Sequence, residues 1–185
     1  MENSKGYKEN LWAGPGIIRT VSGIYVDVIN PKPEQIEIED IAHALSNQCR
    51  FGGHLPKFYS VAQHSYRCAQ IAHRQGMPEE MLLAALMHDA SEAYLLDIPA
   101  PIKPFLTGYK EIEDRLMKVI SKKFGFTWPL HPDLHQIDIQ ALNEEWDNIM
   151  LCGKDPKIFI WTRDVASSMF IQSFKSFVPW QSQLM

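Results

Sequence analysis

The sequence lacks most of the features that would place it in an unusual class of protein. Its 185 residues include only three cysteines, which form no C-x-x-C pair and are odd in number: Cys49, Cys68 and Cys152. This set argues against a disulfide framework and indicates reduced thiols. No apolar run approaches the roughly 18 residues of a membrane helix, and the N-terminus, MENSKGYKENLWAGPG, lacks the apolar core of a signal peptide. We therefore expect a soluble, cytoplasmic protein.

Positive charge is also scarce. Lysine and arginine number 18 against 22 acidic residues, so the formal net charge is −4 and the pI is about 6.0. Binding to DNA or RNA relies on an excess of positive charge at the phosphates. A nucleic-acid polymer is therefore not an expected partner. A small anionic substrate agrees with this composition, because a local metal ion or Arg/Lys group can dominate an acidic average.

The patterning predicts a single, mainly α-helical domain over residues 1–185. Apolar residues make up 45% of the chain, as in ordinary globular proteins. Alternation in GIYVDVINPKPEQIEIED predicts a small N-terminal β-hairpin, with strands at about 22–29 and 35–38 around the turn NPKPE. Asp40 is the expected cap of the first helix, and Ser60 with Gln63 forms a predicted capping box for the second. Helices are predicted at about 41–49, 61–74, 79–95, 108–124, 132–150 and 163–177.

An apolar helix is interrupted by charge within MLLAALMHDASEAYLLDIPAPIK, residues 81–103. The turns before His88 and Asp89 are apolar, so the pair lies at the inner end of a buried helix. Buried charges are costly unless they are paired or bound to a metal, and His and Asp both serve as metal ligands. Adjacent side chains on a helix point about 100° apart, so His88 and Asp89 cannot contact each other well. Both can, however, contact a third group placed between them. We interpret that third group as a metal ion.

Two other helices offer the remaining ligands. His64 lies one turn inside its capped helix, on the face that an antiparallel neighbour would cover. Asp138 lies between two isoleucines in a third helix, and Asp133 or Asp147 are alternatives for this ligand. Two imidazoles and two carboxylates balance the charge of a divalent ion and leave positions for water and substrate, as catalytic sites do. The predicted ligands are His64, His88, Asp89 and Asp138.

The order of these residues, H…HD…D, resembles the signature of the HD superfamily of metal-dependent phosphohydrolases. The similarity covers roughly residues 40–150 and is closest to the HD-domain 5′-deoxynucleotidases. In that branch a Glu follows the HD pair, as Glu92 does here, and then a D-x-P-x-P-x-K segment, which is DIPAPIK here. The branch also has an arginine–aromatic pair before the first His, where Arg50 and Phe51 stand.

The resemblance implies a fold and a role for each matching residue. It implies an HD helical core at 40–150, with 1–39 as a hairpin extension and 151–185 as a C-terminal helix. Glu92 is expected to orient or deprotonate the attacking water, and Asp97 to position a sugar hydroxyl or a reacting proton. Arg50 and Lys103 are expected to hold phosphate oxygens. Phe51 completes the matching substrate-binding residues, and His54, which has no counterpart in the branch, is expected to join Arg50 and Lys103 as a donor.

The resemblance leaves the substrate and the metal open. The first reading is hydrolysis of a (deoxy)nucleoside 5′-monophosphate to nucleoside and phosphate. The alternatives are release of triphosphate from a deoxynucleoside triphosphate, using Lys57, Lys103 and Lys110, and a non-catalytic nucleotide-binding domain. One divalent ion is expected, with Mn, Co, Fe, Ni or Zn preferred over Mg because the ligands are mixed. A homodimer or higher homo-oligomer is expected from the resemblance.

The sequence departs from the branch at several positions. Phe51 stands where the branch usually has tryptophan, a Gly-Gly-His loop follows it, and the N-terminal hairpin is additional. Other aromatic residues are interpreted as core or dimer-interface residues, not as a platform for bases: Trp128, Trp146, Phe170 and Trp180. The acid pair Glu144-Glu145 is interpreted as part of a solvated helix face.

Overall fold

Seven α-helices and one two-stranded hairpin make up most of the regular structure of residues 14–178, the residues that this computed structural model describes. The mainly α-helical prediction is confirmed. Short 3-10 turns at Pro33–Gln35, Arg50–Gly53 and Lys103–Phe105 connect the longer elements. The helices are α1 (Ile38–Asn47), α2 (Val61–Arg74), α3 (Glu79–Leu86), α4 (Glu92–Leu95), α5 (Tyr109–Phe124), α6 (Pro132–Glu145) and α7 (Arg163–Phe177).

The hairpin lies earlier in the chain than predicted, because its second strand falls where the first strand was expected. Strand β1 (Ile17–Arg19) pairs antiparallel with β2 (Tyr25–Asp27), so the prediction of a strand at 35–38 is wrong. The turn lies between them because Gly23, with φ of 92°, accepts the left-handed conformation that closes it. The proline-rich stretch forms the first 3-10 turn instead of a hairpin loop, since proline removes a ladder donor.

Asp40 joins the hairpin to the helical part of the chain. Helix α1 begins at Ile38, so Asp40 lies inside its first turn and the prediction that it caps the helix is wrong. Its buried carboxylate accepts hydrogen bonds from the Ser22 backbone N–H at 3.0 Å and from the Ser22 hydroxyl at 2.7 Å. Buried carboxylates need such partners, and here they fix the hairpin turn against α1.

Helix α2 is the central helix of the fold and packs against α1, α3, α6 and α7. The Ser60 hydroxyl accepts from the Gln63 backbone N–H at 3.1 Å, so this part of the predicted cap is confirmed. The Gln63 side chain does not close the box. It bonds instead to the backbone of Phe159 and Trp161, which ties the segment before α7 to the start of α2. His64 therefore lies in the first turn of a helix that packs against four other helices.

The predicted helix at 79–95 is broken in its middle. Helix α3 ends at Leu86, a turn follows, and α4 begins at Glu92. His88 and Asp89 lie in this turn, where the backbone is freed from the 100° spacing of a helix. From this turn both side chains reach the same cluster as His64.

The later helices agree with their predictions. Helices α5 and α7 have the expected bounds within one residue, and α6 continues into a π-helical turn at Trp146–Met150. Phe170 is fully buried and Trp128 packs against the core, as predicted; Trp180 lies outside the described residues. Among the helices described, none combines the length and apolarity needed to cross a membrane.

Candidate metal centre

Side chains from three elements converge at the inner end of α2. The Nε2 atoms of His64 and His88 lie 3.3 Å apart. Asp138 Oδ1 lies 3.1 Å from His64 Nε2 and 3.8 Å from His88 Nε2. Asp89 Oδ2 lies 3.0 Å from His88 Nε2 and 3.7 Å from His64 Nε2. The structure thus brings together the donor atoms of all four residues that the sequence suggested.

Both imidazoles are turned with the same nitrogen toward the cluster. His64 Nδ1 lies 2.7 Å from a carboxylate oxygen of Glu145, and His88 Nδ1 lies 2.8 Å from the carbonyl oxygen of Ala85. These acceptors assign a proton to each Nδ1, so each Nε2 faces the cluster and is the nitrogen that binds a metal once its own proton is displaced. This is the usual arrangement of a metal-binding histidine, with the outer nitrogen donating to a carboxylate or a carbonyl.

Glu145 is a residue of the candidate site that the sequence did not indicate. Its side chain is fully buried against His64 and 3.5 Å from Arg50 Nη2, so its placement on a solvated face is wrong. Glu144 does remain partly exposed, where it pairs with Arg67. Glu145 follows Asp138 by seven residues, which is two helical turns and the same face. That spacing is the signal that would have found it.

The alternatives for the carboxylate ligand of α6 lie elsewhere. Asp133 is 62% exposed and pairs with His131 at the start of α6. Asp147 lies on the exposed side of the π-helical turn. A residue not predicted as a ligand, Cys68, lies in the cluster beside Asp138. The donor atoms of His64, Cys68, His88 and Asp138 all lie within 4.8 Å of one another. This buried group can hold a metal ion.

The charges around the cluster favour a cation there. Burial lowers the pKa of His88, but Asp89 outweighs burial and raises that pKa to about 10. Burial likewise opposes ionisation of Asp89, yet His88 holds its pKa well below the usual range. Without a metal, the imidazoles and carboxylates are stabilised by each other's charge. A divalent ion can take over that role by displacing the protons, so the donor set fits a metal.

Comparison with known proteins places the chain among bacterial relatives. Over 130 residues it is 51% identical to YfdR of Escherichia coli (strain K12), and the match covers 69% of each chain. The chain belongs to the YfdR family. It is also 41% identical over 112 residues to RCAP_rcc00048 of Rhodobacter capsulatus, covering 58% of this chain and 57% of that one. Both relatives are described as uncharacterized. No protein-family model matches the chain.

In this member of the YfdR family, an open cavity of about 540 Å³ adjoins the cluster. Its charged lining residues are Arg50, Asp89, Glu92, Asp97, Lys103 and Asp138. Its apolar lining, the apolar wall, includes Phe51, Ile98, Pro99, Pro101, Leu142 and Trp146. A cavity with both charged and aromatic lining suits a ligand with one polar and one flat apolar end.

Arg50 provides a buried cation beside the cluster. Its Nη1 lies 3.9 Å from both Asp89 and Asp97, and its Nε has no hydrogen-bond partner among the described residues. Burial opposes its charge, but the surrounding carboxylates, Glu145 first, outweigh burial and raise its pKa. The guanidinium is therefore permanently charged and keeps donors for an anionic ligand.

Glu92 and Lys103 form a pair at the side of the cavity. Lys103 Nζ lies 3.2 Å from Glu92 Oε1 and 3.1 Å from Glu113 Oε1, so its charge is already shared between two acids. Glu92 Oε2 is buried and has no partner among the described residues. Burial, with the charges of Asp89 and Asp97, raises the pKa of Glu92 well above its usual range. A raised pKa makes this carboxylate a stronger base than an ordinary glutamate side chain.

Asp97 is held in place by Gln48, a second residue that the sequence argument missed. The Gln48 side chain accepts from the Asp97 backbone N–H at 3.0 Å and donates to the Glu92 carbonyl at 2.8 Å. It thereby spans the loop that contains Leu96, whose φ of 69° is rare outside glycine. Asp97 Oδ2 has no hydrogen-bond partner in the described part of the chain.

His54 and Trp146 lie in positions that differ from their predictions. His54 is exposed and is not in the cavity wall, because Phe51, Gly52 and Gly53 all have positive φ and turn the chain toward solvent. Trp146 is 46% exposed and faces Phe51, with ring centroids 6.1 Å apart. The core alternative for Trp146 is therefore wrong, while the dimer-interface alternative stays a prediction. From the π-helical turn, Trp146 lines the cavity.

Proposed function

We propose that this YfdR-family chain is a metal-dependent phosphohydrolase of the HD superfamily that converts a (deoxy)nucleoside 5′-monophosphate to nucleoside and phosphate. The observation that carries the proposal is the convergence of the H…HD…D side chains in one cluster, of which Asp89 and Asp138 line the cavity. The donor set comes from three separate elements, and both imidazoles present the same nitrogen. A helix that needed only to pack would contain none of these groups.

The proposed metal ion and the residues around it have different roles in the hydrolysis. One divalent cation held by His64, His88, Asp89 and Asp138 supplies Lewis acidity toward a phosphoryl oxygen and makes nearby water more acidic. Glu92 is the proposed general base, and its unpaired Oε2 accepts the proton of the attacking water. Asp97 is proposed to hold a sugar hydroxyl or the proton that passes to the leaving oxygen.

Arg50 is the proposed phosphate-binding residue. Its Nη1 lies 3.9 Å from the nearest oxygens of Asp89 and Asp97, beyond ordinary hydrogen-bond distance, so it retains donors for phosphate oxygens. Lys103 was expected to share this role as a point charge. Its contacts with Glu92 and Glu113 support a different role, in which Lys103 sets the charge and position of the base.

The apolar wall supports a nucleoside over a simple phosphoester. Phe51 and Trp146 both line the cavity and are tilted by 42° to one another, and Leu142 also lines it. Aromatic side chains of this kind stack on bases regardless of sequence. Phe51 has a φ of 56°, which is strained for a side chain of its size and is typical of functional sites.

The cations near the cluster favour a monophosphate over a triphosphate. A triphosphate needs several positive groups along its length. Of the residues considered for this, Lys57 and Lys110 do not line the cavity, and Lys103 is paired with two acids. Arg50 is left as the cation with spare donors among the cavity-lining residues that the structure describes.

The test is a metal add-back assay on purified, metal-stripped protein. Nucleoside monophosphates and triphosphates are incubated with Mn, Co, Zn or Mg, and the products are separated by chromatography. The proposal predicts free phosphate from monophosphates, and loss of the activity in the His88→Ala, Asp89→Ala double variant. Release of triphosphate would replace the substrate assignment. Tight metal and nucleotide binding without turnover would contradict the proposed enzyme and favour a binding domain.

A further inference from the structure

Cys68 lies on the same face of α2 as His64, one helical turn further along. Its side chain is buried, and its Sγ lies 3.5 Å from His64 Nε2, the nitrogen that points into the cluster. Together with His88 Nε2 and an Asp138 oxygen, these atoms form the compact group within 4.8 Å described above. The sulfur therefore belongs to the cluster by position as well as by chemistry.

The spacing of the donor atoms agrees with a single coordination sphere. Bonds of about 2.0–2.1 Å to nitrogen and about 2.3 Å to sulfur at tetrahedral angles place two nitrogens about 3.3–3.4 Å apart, and nitrogen and sulfur about 3.6 Å apart. The two histidine nitrogens lie 3.3 Å apart, and the Cys68 sulfur lies 3.5 Å from His64 Nε2. Asp138 Oδ1 is 3.1 Å from the same nitrogen.

A buried cysteine ordinarily acts as a small apolar side chain. Cys68 does border the core, where Ala69 and Ala72 of the same helix are buried. An apolar role alone gives no reason for the sulfur to lie among two metal-facing imidazoles and a carboxylate. The two roles make different predictions, because a packing cysteine leaves no trace in the electronic spectrum of a bound metal.

We propose that Cys68 is a sulfur ligand of the ion held by His64, His88 and Asp138, and that it makes the centre selective for thiophilic cations. The inference rests on the proposed metal site and adds the class of metal. Thiolates suit zinc and cobalt, whereas magnesium and manganese prefer oxygen ligands. Asp89, which is adjacent to His88 in the turn between α3 and α4, is a second carboxylate donor for the same ion.

Cobalt reports directly on the ligand type. Metal-stripped protein is titrated with Co²⁺ and followed by its absorption spectrum, and zinc and manganese affinities are measured by competition with a chelator. The matched control is Cys152→Ser, which changes a cysteine just after the π-helical turn whose thiol donates to the Asp147 carbonyl, outside the cluster. Far-ultraviolet circular dichroism and the Tm show whether Cys68→Ser keeps the fold.

The proposal predicts a near-ultraviolet thiolate-to-cobalt band in the wild type and in Cys152→Ser, and no such band in Cys68→Ser. Zinc binding by Cys68→Ser is expected to weaken at least about tenfold, the smallest effect typical even of outer-shell partners, while manganese binding changes little. One equivalent of cobalt bound by the wild type without that band would overturn the sulfur ligand and leave the phosphohydrolase intact. Failure of the wild type to bind cobalt, zinc or manganese would overturn both. The wild-type spectrum can overturn the proposal whatever the stability of Cys68→Ser, and loss of the band in a folded Cys68→Ser assigns the band to this sulfur.

Discussion

His64 Nδ1 lies 2.7 Å from Glu145 Oε1, and both side chains are completely buried. Burial raises the pKa of the Glu145 carboxyl, but the charge of His64 and their hydrogen bond outweigh burial and hold that pKa below its ordinary value. Arg50 lies on the other side of the same carboxylate. The pair therefore fixes the His64 ring with Nε2 toward the cluster.

Replacing Glu145 with glutamine should weaken metal binding. The variant keeps the size of the side chain but removes the charge that orients His64, and loss of such a partner typically costs about 10- to 100-fold in affinity or activity. The measurement is the metal dissociation constant by chelator competition. Glu144→Gln is the matched control, because the neighbouring carboxylate contacts Arg67 and Gln140 away from the cluster. Equal affinities in the two variants would remove Glu145 from the site.

Replacing Lys103 with methionine should shift the acidic limb of the pH profile. Glu92 must be ionised to accept a proton, and its pKa is raised by burial, by Asp89 and by Asp97, while Lys103 lowers it. Without the cation the pKa of Glu92 rises further, so activity is lost at a higher pH on acidification. The pH dependence of kcat/KM measures this, with the exposed Lys110→Met as the control. A limb that stays in place or moves to lower pH would contradict the pairing.

Removing an aromatic side chain of the cavity wall should affect nucleotides selectively. Trp146→Leu or Phe51→Leu should raise KM for a nucleoside monophosphate, because stacking on a base is worth about 1–3 kcal/mol. KM for deoxyribose 5-phosphate, which lacks a base, should be unchanged. Phe159→Leu is the control, since Phe159 is exposed and lies outside the cavity wall. Equal losses for both substrates would show that the wall does not contact the base.

Nucleotide binding should require the metal. The cavity and its surroundings contain five carboxylates, from Asp89, Glu92, Asp97, Asp138 and Glu145, but only Arg50 and Lys103 as permanent cations among the described residues that line it. A phosphate is repelled by this charge until a divalent ion offsets it. Isothermal titration of the catalytically slowed Glu92→Gln variant with a nucleoside monophosphate should show heat only after metal is added. Equal binding by metal-stripped protein would contradict this electrostatic argument.

The sequence predicted site residues correctly where charged or polar side chains interrupt an apolar stretch, because such side chains are rarely buried without a partner. His88 and Asp89 stood out because they interrupt an apolar stretch, and their spacing to His64 and Asp138 completed the donor set. Helical periodicity likewise predicted α2, α5, α6 and α7 nearly to the residue. These features depend on neighbouring residues or on one known motif, so they can be predicted from the sequence without knowledge of tertiary contacts.

Other parts of the site depend on contacts between distant positions. Glu145 resembles any acid on a helix surface until α6 is packed against α2, and Gln48 acts on a loop 44 and 49 residues further along. Lys103 looked free because its partner Glu113 lies on another helix. The hairpin was misplaced for a related reason, since the Asp40 side chain selects the turn near Ser22 by a contact over 18 residues.

The most direct test of the central claim is the metal content of the purified protein. Elemental analysis of the wild type, Asp138→Asn and Asp133→Asn separates the cluster from a neighbouring acid on the same helix. The account predicts about one divalent ion per chain in the wild type and in Asp133→Asn after reconstitution and desalting, and loss of most of it in Asp138→Asn. A wild type that retains no ion, or an Asp138→Asn variant that retains it fully, would contradict the account.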